Sequence, residues 1–342
     1  MPRRISTLSL LAAVALAAVA CGGASDTKGG SSSGAAKGST TLSLVAYSTP
    51  QVVYDQVIPE FNKTSIGEGV AFRQSYGASG DQSRAVENGQ KADVVAFSLA
   101  PDVDRLVKAG LVASDWTSEP HDGFVSDSVA VFMVRKGNPK GIHAWADLLK
   151  PGVSVLTPNP FTSGSAKWNL MAAYGAQIKQ GKSPAQALDY LRELLTKHVK
   201  VQDKSGREAV QDFVGGNGDV AISYENEAIT ARQKGANVDY VIPDQTILIQ
   251  NPAAVTSKAN PKAKDFLNYL WTTPAQTAFA QHGYRPVDAA VAKKFKSRFP
   301  VPSGLFTIDD LGGWSKVNDE FFDPDEGSVT KIEQDAGVST SK

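Results

Sequence analysis

"GVSVLTPNPFTSGSAKWN", residues 152–169, decides the fold. Its first half is a short apolar run bounded by prolines, the pattern of a buried strand. Its second half opens a helical pattern that runs from about residue 165 to 180. Between them stand Ser163, Gly164 and Ser165, three small residues with no acid, histidine or cysteine nearby. A strand, a punctuated loop and a helix are the unit of an α/β sheet.

The same unit recurs on both sides. "LSLVAY" (42–47), "VAFRQSY" (70–76), "ADVVAFSL" (92–99) and "SVAVFMVRK" (128–136) read as strands. So do "HVKVQ", "GDVAISY" and "VDYVIP" further on. Helical stretches lie between them: "VVYDQVIPEFNK" (52–63), in which Pro59 is expected to disturb a long helix, "DVDRLVKAG" ending at Gly110, "GREAVQDFVGG" and "ENEAITARQKG". The alternation predicts an α/β fold with largely parallel sheets. The 342 residues are enough for two lobes.

Ligands of α/β sheets bind beyond the carboxyl ends of strands, where helices begin. Three such junctions here share one chemistry. They are Gly77-Ala78-Ser79-Gly80, Ser163-Gly164-Ser165 and Ser205-Gly206-Arg207. A helix start presents unpaired N–H donors and about half a positive charge, so it holds an anion without a basic side chain. The plain alternative at each junction is an N-cap, where Ser and Gly are favoured. Neutral donors with no adjacent nucleophile or base point to holding an anion, not reacting with it. Sulfate is fully ionised at neutral pH and asks for donors alone, whereas phosphate keeps a proton for part of the range and asks for an acceptor. Asp81 is the acid close to these turns. It reads either as a solvent-facing acid of the first helical turn or as an inward acceptor.

The bulk numbers exclude other classes. Lys and Arg number 35 and Asp and Glu 35, so there is no overall field to draw nucleic acid. The four histidines are scattered and form no HxxxH pair, so no metal site and no cofactor is expected. No GxSxG or GxxxxGK[ST] motif appears. A hydrolase of sulfate or phosphate esters would need clustered ligands or an activated nucleophile, and neither is readable. A surface adhesin would need an exposed aromatic patch, and none is readable.

The N-terminus is not fold. Arg3 and Arg4 precede the apolar run 5–20, which reads as a secretory signal peptide over 1–20. Cys21, the only cysteine, follows it as a lipidation acceptor would, in the box Ala18-Val19-Ala20-Cys21. Residues 21–41 form a Gly/Ser-rich linker; a coil of this length reaches roughly 25 Å. A lipid-anchored, extracytoplasmic and monomeric body is the expectation.

Several stretches carry a family resemblance. "ADVVAFSLAPDVDRLVKAG", the run 131–169, "GDVAISYENEA", "YRPVDAAVAKKF" and "LFTIDDLGGW" resemble the bacterial sulfate-binding proteins, over roughly residues 41–322. These are receptors of sulfate/thiosulfate ABC importers. The resemblance implies a type II periplasmic binding fold, with lobe 1 from 42–132 and 246–342 and lobe 2 from 133–245. A dehydrated dianion would sit between the lobes and pass to the permease. The family's "GGSGKQ" serine matches Ser79. Its "TSGGARW" turn matches Ser163, Gly164 and Ser165. Its "SGARG" turn puts a donor near Gly206. Its "AWENEA" indole falls on Tyr224, and the aspartate of "SYDPTRE" on Ser48. Arg207 would lend positive potential or be a solvated helix-start residue, and Trp168 would be packing. The departures at Tyr224, Asp81, Ser48 and Ser165 leave the choice among sulfate, thiosulfate, phosphate and molybdate open.

Overall fold

The computed structural model describes residues 40–341. The signal segment 1–20, Cys21 and linker residues up to 39 lie outside the described residues. Ten strands follow: β1 Thr40–Tyr47, β2 Val70–Gly77, β3 Val94–Ala96, β4 Phe124–Arg135, β5 Val155–Pro158, β6 Val199–Asp203, β7 Val220–Tyr224, β8 Val238–Val241, β9 Gln245–Val255 and β10 Gly304–Phe306. β1 thus takes in Thr40 and Thr41, so Thr41, read as linker, is strand.

The strand order is β2-β1-β3-β9-β4-β7-β5-β6, with β8 on β4 and β10 on β9. β1 is parallel to β2 and β3 at one end. β5 is parallel to β6 and β7 at the other. The two ends are joined by β4 and β9, which change partners half-way along. β4 pairs with β9 up to Val129 and with β7 from Ala130. β9 leaves β4 at Pro252 and pairs with β3 from Ala253. Both crossing strands are antiparallel to their neighbours β7 and β3 and to each other. The expectation of largely parallel sheets therefore holds within the lobes and fails at the crossing, because a chain that leaves one lobe must return in the opposite direction. These two strands make the two-lobed α/β architecture.

Each lobe has its own core. Tyr54, Phe61, Phe266 and Phe279 pack in the first, and Phe132, Trp145, Trp168 and Leu191 in the second. The helix Gln51–Asn62 buries Val53, Val57, Ile58 and Phe61, one stripe at helical spacing. Pro59 is tolerated inside it because it falls in the last turn, where one lost backbone bond ends little. The C-terminal stretch departs from the sequence division. Residues from Gly304 to Asp335 were placed with lobe 1, but they pack on the helices of lobe 2. The Trp168 and Trp314 rings are 4.6 Å apart, and Tyr174 and Phe321 are 4.8 Å apart. Apolar side chains of this tail, Val317, Phe321, Val329 and Ile332, are buried in the lobe 2 core.

Candidate anion-binding site

Three helices start at the carboxyl ends of β2, β5 and β6. The first, Ser79–Glu87, begins after extended Ala78. The second, Gly164–Lys179, begins after extended Ser163, and the third, Gly206–Val214, after extended Ser205. One comes from lobe 1 and two from lobe 2, and all three meet at one small cavity between the lobes. Its walls include Tyr47, Ser48, Ser79, Ser98, Ser163, Ser165 and Gly206, and no charged side chain belongs to them.

The junctions differ in what their serines do. Ser205 is an N-cap: its Oγ accepts from Glu208 N at 3.2 Å, and the Glu208 carboxylate accepts from Ser205 N at 3.1 Å. That arrangement leaves the N–H groups of Gly206 and Arg207 outside the cap. Ala78 and Ser163 make no side-chain cap at all. The Ser163 hydroxyl pairs instead with Ser165 Oγ at 2.7 Å. First-turn N–H donors therefore stay available on both sides of the cavity, apart from that of Gly80, which donates to the Thr162 carbonyl at 3.2 Å. The capping alternative is correct for Ser205 and incorrect for Ser163.

Gly164 stands directly behind the wall. A Cβ there would lie 1.9 Å from Leu99 Cδ2 and 3.0 Å from the Ser98 side chain. Leu99 and Ser98 belong to lobe 1, so a side chain at 164 would hold the lobes apart. At Gly206 a Cβ would meet Ser165 Oγ at 2.7 Å. Gly164 is required for close approach across the cleft, and Gly206 for close packing of the two helix starts within lobe 2.

Ser79 is fixed by a buried relay. Its Oγ donates to Asp102 Oδ2 at 2.6 Å and accepts from Ser98 N at 3.0 Å. Asp102 is held in turn by Arg105 at 3.0 Å. Tyr224, at the end of β7, lies one layer back from the cavity and shares a 2.7 Å hydrogen bond with Ser98 Oγ. Burial raises its phenol well above the usual value, so it stays protonated at physiological pH. Trp168 is buried, and its indole donates to the Ser98 carbonyl at 2.8 Å, as packing side chains with one polar tip do.

The two charged residues read near the site face elsewhere. Asp81 pairs with Arg84 at 2.5 Å and, across the lobes, with Lys204 at 3.0 Å. It is not an inward acceptor. The Arg207 guanidinium reaches from lobe 2 to Gln51 and to the Ser48 carbonyl of lobe 1. It is not a solvated surface residue. Ser48 itself lines the cavity. Sequence reading missed Tyr47, Ser98 and Asp102. Ser98 had a signal, because it ends the apolar run "ADVVAF" on the side where α/β sheets bind ligands.

Known proteins fit this geometry. A family model described as bacterial extracellular solute-binding protein matches residues 42–285. The chain belongs to the bacterial extracellular solute-binding proteins. Within that family, a sulfate-binding protein of Synechococcus elongatus is 40% identical, over 96% of this chain and 96% of its own length. A thiosulfate-binding protein of Pseudomonas aeruginosa is 35% identical, over 84% of this chain and 91% of its own. The solved structure of the sulfate-binding protein SubI from Mycobacterium tuberculosis H37Rv superposes with a TM-score of 0.81. It is 49% identical and covers 83% of this chain and 100% of that one. The resemblance read from the sequence is borne out, and with it the type II solute-binding fold. Family membership makes the chain an extracytoplasmic binding protein and not an enzyme.

Proposed function

We propose that this chain is the receptor that captures sulfate, or thiosulfate, between its lobes and delivers it to an ABC importer. The observation that carries the reading is the convergence of three helix starts, from both lobes, on one buried cavity whose walls are hydroxyls, glycine and backbone. Relatives named for sulfate and for thiosulfate support the same anion class. A fully ionised dianion accepts hydrogen bonds and offers none, so it suits walls with no carboxylate among them. Closure is a hinge motion about β4 and β9, with the N–H groups of Ser79, Gly164, Ser165 and Gly206 closing on the anion. Ser163, Ser48 and Tyr224 support those donors. Lobe 1 is residues 42–132 with the returning strand and its helices, and lobe 2 is residues 133–245 with the C-terminal stretch 304–335 packed on it. The closed form meets the permease as a monomer tethered through lipidated Cys21.

Titration calorimetry of the purified protein with sulfate, thiosulfate, phosphate and molybdate from pH 5.5 to 8 tests the reading. Stoichiometric, metal-independent binding of sulfate or thiosulfate, little changed by pH, is expected. Preferred and pH-dependent phosphate binding would overturn it.

A further inference from the structure

Among the wall hydroxyls, the Tyr47 phenol is fully buried yet poorly bonded. Ser79 Oγ donates to Asp102, Ser98 Oγ shares its bond with Tyr224, and Ser163 and Ser165 bond each other. Tyr47 Oη is different: it is buried and makes no well-formed hydrogen bond among the described residues, with only the Thr49 and Tyr284 hydroxyls beside it. The Thr49 and Tyr284 hydroxyls next to it are engaged with each other at 2.9 Å. Tyr47 ends β1, is 4% exposed, and packs with Leu99, Trp168 and Tyr224, so its ring lies in the seam between the lobes. Its backbone neighbours Ser48 and Thr49 line the cavity with it.

A buried hydroxyl wholly without a partner costs about 1–3 kcal/mol, and one with only poorly formed bonds carries part of that cost. It persists where binding supplies the partner. We propose that Tyr47 is a direct ligand of the anion, donating its phenol O–H to an oxygen of the bound sulfate. This rests on the sulfate or thiosulfate reading and adds a side-chain donor that neither the helix starts nor the small residues announce. Burial pushes the phenol above its usual value, so the proton is present throughout the physiological range. The ring also sits against both lobes, so the bond forms fully only when the cleft is shut. Tyr47 therefore reports closure as well as occupancy.

Calorimetry of Tyr47→Phe beside the unaltered protein tests this. The variant keeps the ring and removes only the oxygen. At least a tenfold loss of sulfate affinity is expected, with the melting temperature of the anion-free protein unchanged or raised. Equal affinity in a folded Tyr47→Phe would overturn the proposal. If the unaltered protein itself ignored sulfate, the functional reading would fail instead, so the two failures are distinct. A second measurement needs no stable variant for its readout. With 13Cζ-labelled tyrosine, the resonance missing in Tyr47→Phe, or the most strongly ligand-shifted resonance where that variant does not fold, should move on sulfate addition to a position typical of a phenol bonded to an anion. A tyrosine spectrum unmoved by saturating sulfate would overturn the proposal.

Discussion

Two spaces lie side by side between the lobes, and they are built of opposite materials. The small cavity has walls of serine, threonine, glycine, alanine and tyrosine. The larger cleft beside it, about 690 Å³, is lined by Asp55, Arg207, Glu227 and Lys234 among others. The two meet at Thr49. Charge is thus present in the interface but stands outside the chamber that the helix starts address. A formal cation beside a dianion would add attraction, but it would attract every anion. Fixed N–H dipoles demand a ligand that accepts from several directions at once, so they select as well as bind. The charged rim does a different task. Arg207 on Ser48 and Gln51, and Lys204 on Asp81, join lobe to lobe without touching the chamber.

The comparison breaks first at Ser163. Ser163→Asp puts a carboxylate into the uncharged chamber, facing a dianion at short range. Loss of all measurable sulfate binding is expected, a penalty of several kcal/mol where screening is poor, and calorimetry reads it. Gly164→Ala tests closure in place of charge. Its Cβ would strike Leu99, and overpacking typically costs about 1–3 kcal/mol, so a roughly 10- to 100-fold loss of affinity is expected. The melting temperature of the anion-free protein should change less than the affinity does. Tyr224→Phe removes the hydroxyl that shares a bond with Ser98 one layer behind the wall. The expected loss is about 1 kcal/mol, the worth of a neutral hydrogen bond, and not the larger value of a bond to the anion itself. At the rim, Asp81→Asn should change affinity least, within about 1 kcal/mol, because a partly exposed ion pair contributes little and is screened by salt.

Titration sharpens the same contrast. No carboxylate lines the chamber, so sulfate affinity should be flat from pH 5.5 to 8. Stability should not be flat. Glu333 is buried in lobe 2 with one hydrogen bond from Gln202, and burial pushes its carboxyl up to about 7. A folded-state value above the unfolded one favours the protonated form, so the stability it contributes is complete at low pH and is lost as pH rises through about 7. Thermal melts should fall as pH rises to about 7 in the unaltered protein and fall less steeply in Glu333→Gln, where Asp127, raised to about 7, and Asp203, raised to about 6, keep part of the slope, while both bind sulfate alike.

The sequence showed where donors would be and hid which side chains aim them. Turns at 77–80, 163–165 and 205–207 were legible because each follows an apolar strand and needs no knowledge of the other lobe. The crossing strand β9 was not read, since Pro252 interrupts its pattern at the point where it changes partner. Tyr47 and Ser98 were missed because strand ends acquire a role only when the opposite lobe arrives. Arg207 and Asp81 were visible, yet their directions are set by partners more than 100 residues away in the chain. The C-terminal tail was assigned to lobe 1, and what moves it to lobe 2 is ring packing against Trp168 and Tyr174 that no local pattern encodes.

A crystal structure of the protein with sulfate tests the central claim most directly. The account predicts the anion in the small chamber, accepting from the helix starts at Ser79, Gly164 and Gly206, with no carboxylate within hydrogen-bond distance. An anion lodged instead in the larger cleft, bonded to Arg207 and Lys234, would contradict it.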